Sequence, residues 1–265
     1  MSEIPVTVLL PVYNCERYLA QAIRTVLNQS FKDFELLIIN DGSTDSSEAI
    51  IGSFGDPRIR YLKNETNQGL VNTLNRGLAA AAGKYIARMD GDDLMNENRL
   101  RLQLDFLLEN PSFALVASTV ELINEAGDFT GYWEQDKNNL TPGAIHRNLP
   151  KYNCIGHPTI MARSEILKKF SYLASQKLAE DYDLWLRMAA EGYQIAKLNQ
   201  PLVQHRILGN SFTRTRKYNF LTRIGFVQVR FFYHQLIKGR LNYFVFKTLF
   251  FGGLNILKGG LQLLK

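Results

Sequence analysis

Four short runs rich in apolar residues, each closed by Asn or Asp, constrain this chain more than any other feature. They are "VTVLLPVYN" (6–14), "FELLIIN" (34–40), "IRYLKN" (59–64) and "KYIARMD" (84–90). Their length and apolar content predict strands buried in a sheet. Helical patterns lie between them. Over 15–29, Tyr18, Leu19, Ala22, Ile23, Val26 and Leu27 share one face, with Asn14 placed to cap the helix. Further helices are predicted over 46–54 and over 67–83, the latter stopped by Gly83. Strands alternating with helices of this length predict an α/β fold built on a parallel sheet. In such sheets ligands gather at the carboxyl ends of the strands. Downstream, a helix over 97–110 ends at Pro111, and 112–127 reads as strand, turn and strand around Asn124–Gly127. Residues 128–156 read as irregular and polar. A strand then runs into a helix over 158–170, and a helix covers 178–192 with Leu184, Trp185 and Met188 on its apolar face. With 265 residues, 46% of them hydrophobic, the chain can bury the core of one large domain with an appended segment.

The fourth run ends in "MDGDD", which places Asp90, Asp92 and Asp93 within four residues. Like charges so close raise each other's pKa unless a cation intervenes. Asp and Gly are also ordinary turn residues, so a solvated turn is one reading of the cluster. A site for a hard divalent cation is the other, since Mg²⁺ binds through one or two carboxylates plus substrate phosphates. Asp41, at the end of the second run, puts another acid at a strand's carboxyl end. The first strand is not followed by GxGxxG, and the chain has no GKS or GKT phosphate loop. Dinucleotide binding and P-loop chemistry are therefore disfavoured. Cys15 and Cys154 form no CxxC pair and read as reduced core residues. The start "MSEIPVTVLLPVYN" has no basic region or cleavage pattern, so no signal peptide is expected.

The net charge of +6 hides a strong asymmetry. Residues 1–191 hold 19 Lys+Arg and 25 Asp+Glu, a net −6, whereas residues 192–265 hold 12 Lys+Arg and no acid. That division predicts an acidic catalytic body and a basic, aromatic-rich tail facing something anionic.

In order, "VLLPVYNCERYLAQAI", "IINDGSTDSS", "MDGDD", "GHPTIMARSEIL" and "AEDYDLWLRMA" resemble the inverting family 2 glycosyltransferases. The resemblance covers roughly residues 4–212. It implies a GT-A fold: a Rossmann-like, mixed and mainly parallel sheet flanked by helices. It also implies a nucleotide-diphospho-sugar donor, with Mg²⁺ or Mn²⁺ as cofactor. Asp92 would coordinate the metal, and Asp90 would contact the ribose or lie just behind the metal. Asp93 would support the loop or help position an acceptor. Pro11, Val12 and Tyr13 would pack against the nucleotide, with Tyr13 either stacking on the base or filling core. Asp41 would contact the base; Asn40 stands where the family usually has a first acid. Asp181, with Glu180 beside it, matches the family's general base. Asp183 is its competitor, and acids complementing the helix dipole are the plainer reading of all three. His157 falls in a loop on the acceptor side. Arg206 falls in a loop that closes over the diphosphate, where Ser211 and Arg214 could join it; the family's usual His beyond the Arg is absent.

Residues 213–265 form the expected second unit, a helical basic and apolar tail after a 1–212 catalytic domain. A helix over 213–240 would put Arg216, Arg223 and Arg230 on one face and Phe220, Ile224, Val227 and Phe231 on another. The segment 241–265 is apolar but interrupted by Lys247, Lys258 and two Gly-Gly pairs, which argues against a spanning helix. Contact with the membrane interface is the preferred reading; packing on the domain or on a second subunit, as in a homo-oligomer, is the other. No nucleic-acid motif accompanies the basic stretch. The expected protein is an inverting enzyme at the inner, cytoplasmic face of the membrane. It would move a sugar from a UDP-linked donor to a glycan or lipid-linked acceptor for cell-surface polysaccharide. The alternatives are a non-catalytic nucleotide-sugar binding or scaffold subunit, and a sugar nucleotidyltransferase, whose glycine-rich basic N-terminal loop is missing here.

Overall fold

A computed structural model describes residues 4–176, 179–209 and 220–263. Strands and helices alternate at first: β1 (Val6–Val12), α1 (Glu16–Leu27), β2 (Phe34–Asn40), α2 (Ser47–Gly52), β3 (Ile59–Lys63), α3 (Leu70–Ala80) and β4 (Tyr85–Arg88). Then follow β5 (Leu94–Met95), α4 (Arg99–Glu109), β6 (Phe113–Ile123), β7 (Phe129–Tyr132), α5 (Glu134–Lys137) and α6 (Pro142–Asn148). A 3-10 turn, His157–Thr159, leads to β8 (Met161–Arg163), α7 (Ser164–Phe170), α8 (Glu180–Ala190) and the long β9 (Gln194–Arg206). Two helices close the chain, α9 (Phe220–Ile237) and α10 (Tyr243–Leu263).

One mixed sheet runs in the order β3-β2-β1-β4-β8-β6-β9-β5, with β7 on β6. Its first four strands are parallel, as the alternation predicts. β8 then enters antiparallel between β4 and β6. β9 runs parallel to β6 and brings Arg206 level with Ile123. Along β1 and β2, side chains alternate between two cores. Val6, Val8, Leu10, Leu36 and Ile38 enter one, with α1 and α4. Leu9, Leu37 and Ile39 enter the other, with α3, α7 and α8. Burial on both faces is why these strands read as nearly unbroken apolar runs.

Several expectations are corrected. Asn14 does not cap α1. It sits at φ 49°, its side chain accepts from the Thr44 N–H, and the cap position is Cys15. The free N–H groups of Cys15 and Glu16 are instead taken by Ser47 Oγ (2.9 Å) and Asp45 Oδ2 (2.9 Å). Gly83 does not stop α3, which ends at Ala80. Gly83 lies against the Val6–Thr7 backbone, where a Cβ would come within 2.7 Å of the Val6 carbonyl carbon. Residues 128–156 are not wholly irregular, since they hold β7, α5 and α6. The strand expected after the Asn124–Gly127 turn begins only at Phe129. α8 has no single apolar face: Tyr182, Leu186 and Ala189 are buried along with Leu184, Trp185 and Met188.

The glycines of the tail do not interrupt it, because α10 runs unbroken through both pairs. Ile224, Val227 and Phe231 of α9 and Phe244 and Val245 of α10 join the same core as α8. Gln228 fixes the pair further, donating to Pro150 O (2.7 Å) and Tyr182 Oη (3.1 Å) and accepting from Asn255 (2.9 Å). Arg216, and the stretch 213–219 of the predicted helix, lie outside the described residues. Gly225 and Gly259 mark the crossing of the two helices. A Cβ at Gly225 would stand 2.6 Å from Ile256 Cγ1 and 2.7 Å from Gly252 O, and one at Gly259 would meet Thr222. Gly253 faces open space. Gly225→Val should therefore cost about 1–3 kcal/mol through overpacking, read as a Tm lower by roughly 2–4 °C per kcal/mol for a chain this size. Gly253→Ala should hold or raise Tm, since Ala is the better helix former by about 1 kcal/mol. Equal Tm values for the two variants would contradict this crossing.

Candidate active site

β1 and β2 end level, and their following loops are stitched together. The Asp41 N–H donates to Val12 O (2.7 Å), and the Asn14 N–H donates to Ser43 Oγ (3.0 Å). Pro11 and Val12 are buried in this wall, while the Tyr13 side chain is 47% exposed beyond it. Asp41 is buried. Its carboxylate accepts from the Asn64 side chain (2.6 Å) and from the N–H groups of Gln68 (2.8 Å) and Gly69 (2.9 Å). It thus organises the loop that starts α3. Asn40 is likewise engaged, with the Ser43 N–H (2.9 Å) and Tyr61 Oη (3.1 Å).

β4 is three residues shorter than β1, so the chain leaves the sheet at Met89 and the carboxylates follow at once. Oxygens of Asp90, Asp92 and Asp93 all lie within 4.8 Å of one another. Each has a different environment. Asp93 is fully buried and accepts from the Arg206 N–H (2.9 Å) and His205 Nδ1 (3.0 Å). Asp90 pairs with the buried Arg88 guanidinium. Burial opposes its ionised form, but Arg88, with His157 and His205 beyond, holds the carboxyl below its usual value. Asp92 has no cationic side chain paired directly with it among the described residues. Burial, then Asp93 and Asp90, push its carboxyl up to about 7. Three hard oxygen donors, one of them uncompensated, fit a small divalent cation.

Arg206, expected over the diphosphate, is buried and bound to protein instead. It donates to Asp92 O (2.9 Å), Asn124 O (3.0 Å), Glu125 O (3.1 Å) and Gln21 Oε1 (3.3 Å), with Tyr18 stacked on it at 4.4 Å. It clamps the carboxylate loop to the β6–β7 turn. Ser211 and Arg214 lie outside the described residues.

The other acids stand at the start of α8, which begins from Ala179 at φ 53°. Asp183 is not available as a base: it is buried in an ion pair with Arg187 (2.8 Å), which donates on to Phe170 O and Ser171 O (both 2.8 Å). Asp181 accepts from the Asn153 side chain (2.9 Å). Burial raises its carboxyl above the usual value, against the pull of His157, and neighbouring Glu180 adds to the rise. Glu180 goes the other way. Although burial disfavours its charge, His157, 3.6 Å away, lowers it. His157 Nε2 in turn meets Tyr172 Oη at 2.8 Å. The single imidazole of His157 therefore acts on Asp90, Glu180 and Asp181 alike. The turn that carries His157 is tied to the end of β4 by the Arg88 N–H, which donates to Ile160 O (3.1 Å), and His157 itself lies against Glu180 of α8, although about ninety residues separate β4 from α8 in sequence. Sequence reasoning passed over Arg88, Asn153, Tyr172 and the His205–Asp93 contact. The signal for Arg88 was a charge inside an apolar run; Asn153 and Tyr172 left none.

The family model described as "Glycosyl transferase family 2" matches residues 7–170. The Escherichia coli protein named UDP-Glc:alpha-D-GlcNAc-diphosphoundecaprenol beta-1,3-glucosyltransferase WfgD is 32% identical over 187 residues, covering 70% of this chain and 70% of its own. Among solved structures, residues 1–349 of Staphylococcus aureus TarS with UDP-GlcNAc superpose with TM-score 0.69 at 20% identity, covering 85% of this chain and 66% of that one. Pyrobaculum calidifontis mannosyltransferase PcManGT, with GDP-Man and Mn²⁺, gives TM-score 0.70 at 14% identity, covering 97% and 73%. At these identities the structures establish a common fold, and the GT-A architecture expected from the motifs is the one observed.

The unpaired state of Asp92 has a measurable sign. Its folded pKa of about 7 lies above the unfolded value of roughly 3.9. The folded state therefore binds the extra proton, and stability falls as pH rises between those values. Asp92→Asn should raise the Tm of the metal-free protein at pH 8 and raise it less at pH 5. Mn²⁺ should raise the wild-type Tm at pH 8 and leave the variant's unchanged. Equal stabilisation of both by Mn²⁺ would show that this carboxylate is not a ligand.

Proposed function

The chain belongs to glycosyl transferase family 2, and from that premise we propose that it is an inverting transferase acting on a UDP-sugar. The acceptor is a glycan or a lipid-linked saccharide in cell-surface polysaccharide synthesis. The name of WfgD carries a UDP-sugar donor and a diphosphoundecaprenol-linked acceptor. The observation that carries the reading is the cluster of Asp90, Asp92 and Asp93 oxygens within 4.8 Å of one another at the end of β4, fit for a cation, together with Asp181 at the start of α8, whose raised carboxyl suits proton abstraction.

Asp92, with Asp90 beside it, would hold Mg²⁺ or Mn²⁺, and the ion would neutralise charge on the departing nucleoside diphosphate. Asp93 keeps the loop in place through β9. Tyr13 offers an exposed ring at the carboxyl end of β1 for the base. Pro11, Val12 and Asp41 shape the wall behind it. Asp181 takes the proton from the acceptor hydroxyl as that oxygen attacks the anomeric carbon. The carbon–oxygen bond to the diphosphate breaks, and its electron pair leaves with the nucleotide. Attack opposite the leaving group inverts the anomeric centre. Asp181 suits the role because its pKa is raised while that of its neighbour Glu180 is lowered. Glu180, His157 and Tyr172 hold the start of α8 in place. A scaffold subunit would gain nothing from an uncompensated Asp92 and a desolvated Asp181, both of which weaken the fold. The basic tail places the enzyme peripherally on the inner face of the membrane. No described helix is long and apolar enough to cross it.

Asp181→Asn should lower turnover by roughly 10²-fold or more, the usual range for removing a general base, with UDP-sugar affinity by calorimetry little changed. Near-normal turnover in this variant would place the base elsewhere.

A further inference from the structure

The α9–α10 hairpin has one face in the core and another that no described residue covers. On α10 the uncovered side chains are Tyr243 (80% exposed), Phe246, Phe250, Leu257 and Leu261. Their spacing of three, four, seven and four residues puts them on one stripe. At its N-terminal end the stripe meets a cavity of about 460 Å³. α6, the end of α8 and the start of α10 line it, and it is open to solvent on one side. Ala189 and Phe244 line the cavity, and His146, Arg147, Tyr243 and Lys247 stand around it. Lys247 donates to Arg147 O (3.0 Å) and lies 5.8 Å from the Tyr243 ring, so its ammonium is held at this place. No acid lines the cavity. The acid next in sequence, Glu191, is already paired with Arg240 and with Lys169 (3.6 Å).

Resting on the membrane reading above, we propose that the mouth of this cavity receives the phosphate headgroup of an anionic phospholipid. Arg147 and Lys247 meet the phosphate, and the Tyr243–Leu261 stripe lies among the adjoining chains. Charge and shape agree on this occupant. The cavity is apolar inside with cations around it, which suits a molecule with a charged head and a hydrocarbon body. It opens beside the longest exposed apolar stripe among the described residues, in a part of the chain with no acid after Glu191. A helix of 21 residues spans about 30 Å, enough to lie along an interface.

The test uses the full chain and dihexanoylphosphatidic acid below its critical micelle concentration, with calorimetric detection. Saturable binding of one lipid per chain is expected, weakened by roughly tenfold or more in Arg147→Gln/Lys247→Gln, since a basic residue near a lipid phosphate contributes about 1 kcal/mol. Inorganic phosphate and dihexanoylphosphatidylcholine should each bind at least about tenfold more weakly, because the first lacks the hydrocarbon and the choline cation of the second cancels its phosphate charge. Phosphate binding as tightly as the lipid would make this a site for soluble anions and overturn the proposal. So would unchanged lipid binding in the double variant, or a dimer by sedimentation whose interface closes the cavity. Co-sedimentation with anionic vesicles separates the two readings. Vesicle binding without saturable uptake of the short lipid removes the headgroup site and keeps the membrane reading. Uptake of the short lipid without vesicle binding does the reverse. Phe246→Ser/Phe250→Ser should reduce vesicle binding even at high salt, and unchanged binding would remove the stripe from the contact.

Discussion

The pairing of buried cations with the carboxylates after β4 is the constraint on which the rest of the site depends. Three acids on one tight turn would destabilise a buried strand end if nothing balanced them. Arg88 answers Asp90 from within the strand. His205 and the Arg206 backbone answer Asp93 from β9. Arg99 adds a second layer, donating to Arg88 O (2.9 Å) and Ile160 O (3.0 Å), so the strand ends beneath the acids are tied together. Among the described residues, Asp92 alone is left without such a partner. Two of three neighbouring acids are balanced and the third is not, a donor set that fits an external cation.

The sheet order explains how this is achieved. After β4 the chain must return to the same edge from far away in sequence. β8 enters antiparallel and brings His157 to the end of β4. The thirteen-residue β9 carries His205 and Arg206 past β6 to the carboxylate turn. The Arg206 guanidinium then joins three segments, the Asp92 backbone, the β6–β7 turn and Gln21 of α1. Removing its charge would loosen the loop as well as alter the field.

Much of this was legible in local sequence, and the division is physical. Apolar runs ended by Asn or Asp marked β1, β2 and β4, because burial on both faces leaves no room for polar alternation. The acids of the carboxylate turn were legible because like charges crowded at a strand end repel, whereas those of α8 were singled out only by the resemblance, since acids at a helix start are favourable in any case. The resemblance already put Asp181 ahead of Asp183, and the fold adds a physical reason, since Arg187 claims Asp183. Arg206 was expected over the diphosphate, and its engagement with protein acceptors, all distant in sequence, becomes visible only in the fold. Asn153 and Tyr172 stand in segments without periodicity, so no local pattern could have linked them to α8. Asn14 looked like a helix cap, yet Ser47 and Asp45, thirty residues on, do that work.

The C-terminal glycines show how composition misleads when a helix has two faces. "FGGLNILKGGL" reads as an interrupted apolar segment, and Gly does lower helix propensity by about 1 kcal/mol. In each pair, however, one glycine faces α9 at close approach and the other faces open space. The inward glycine lets two backbones meet where a Cβ would not fit. The outward one costs propensity without a packing return. Gln228 then locks the hairpin to Pro150 and Tyr182, and Arg230 donates to Ser175 O (2.7 Å) in the segment before α8. Tyr182 lies next to Asp181. Whatever the outer face of the hairpin rests against is therefore held in a fixed orientation to the start of α8. The hairpin's surface and the acidic centre are parts of one packed unit rather than a body and a loose tail.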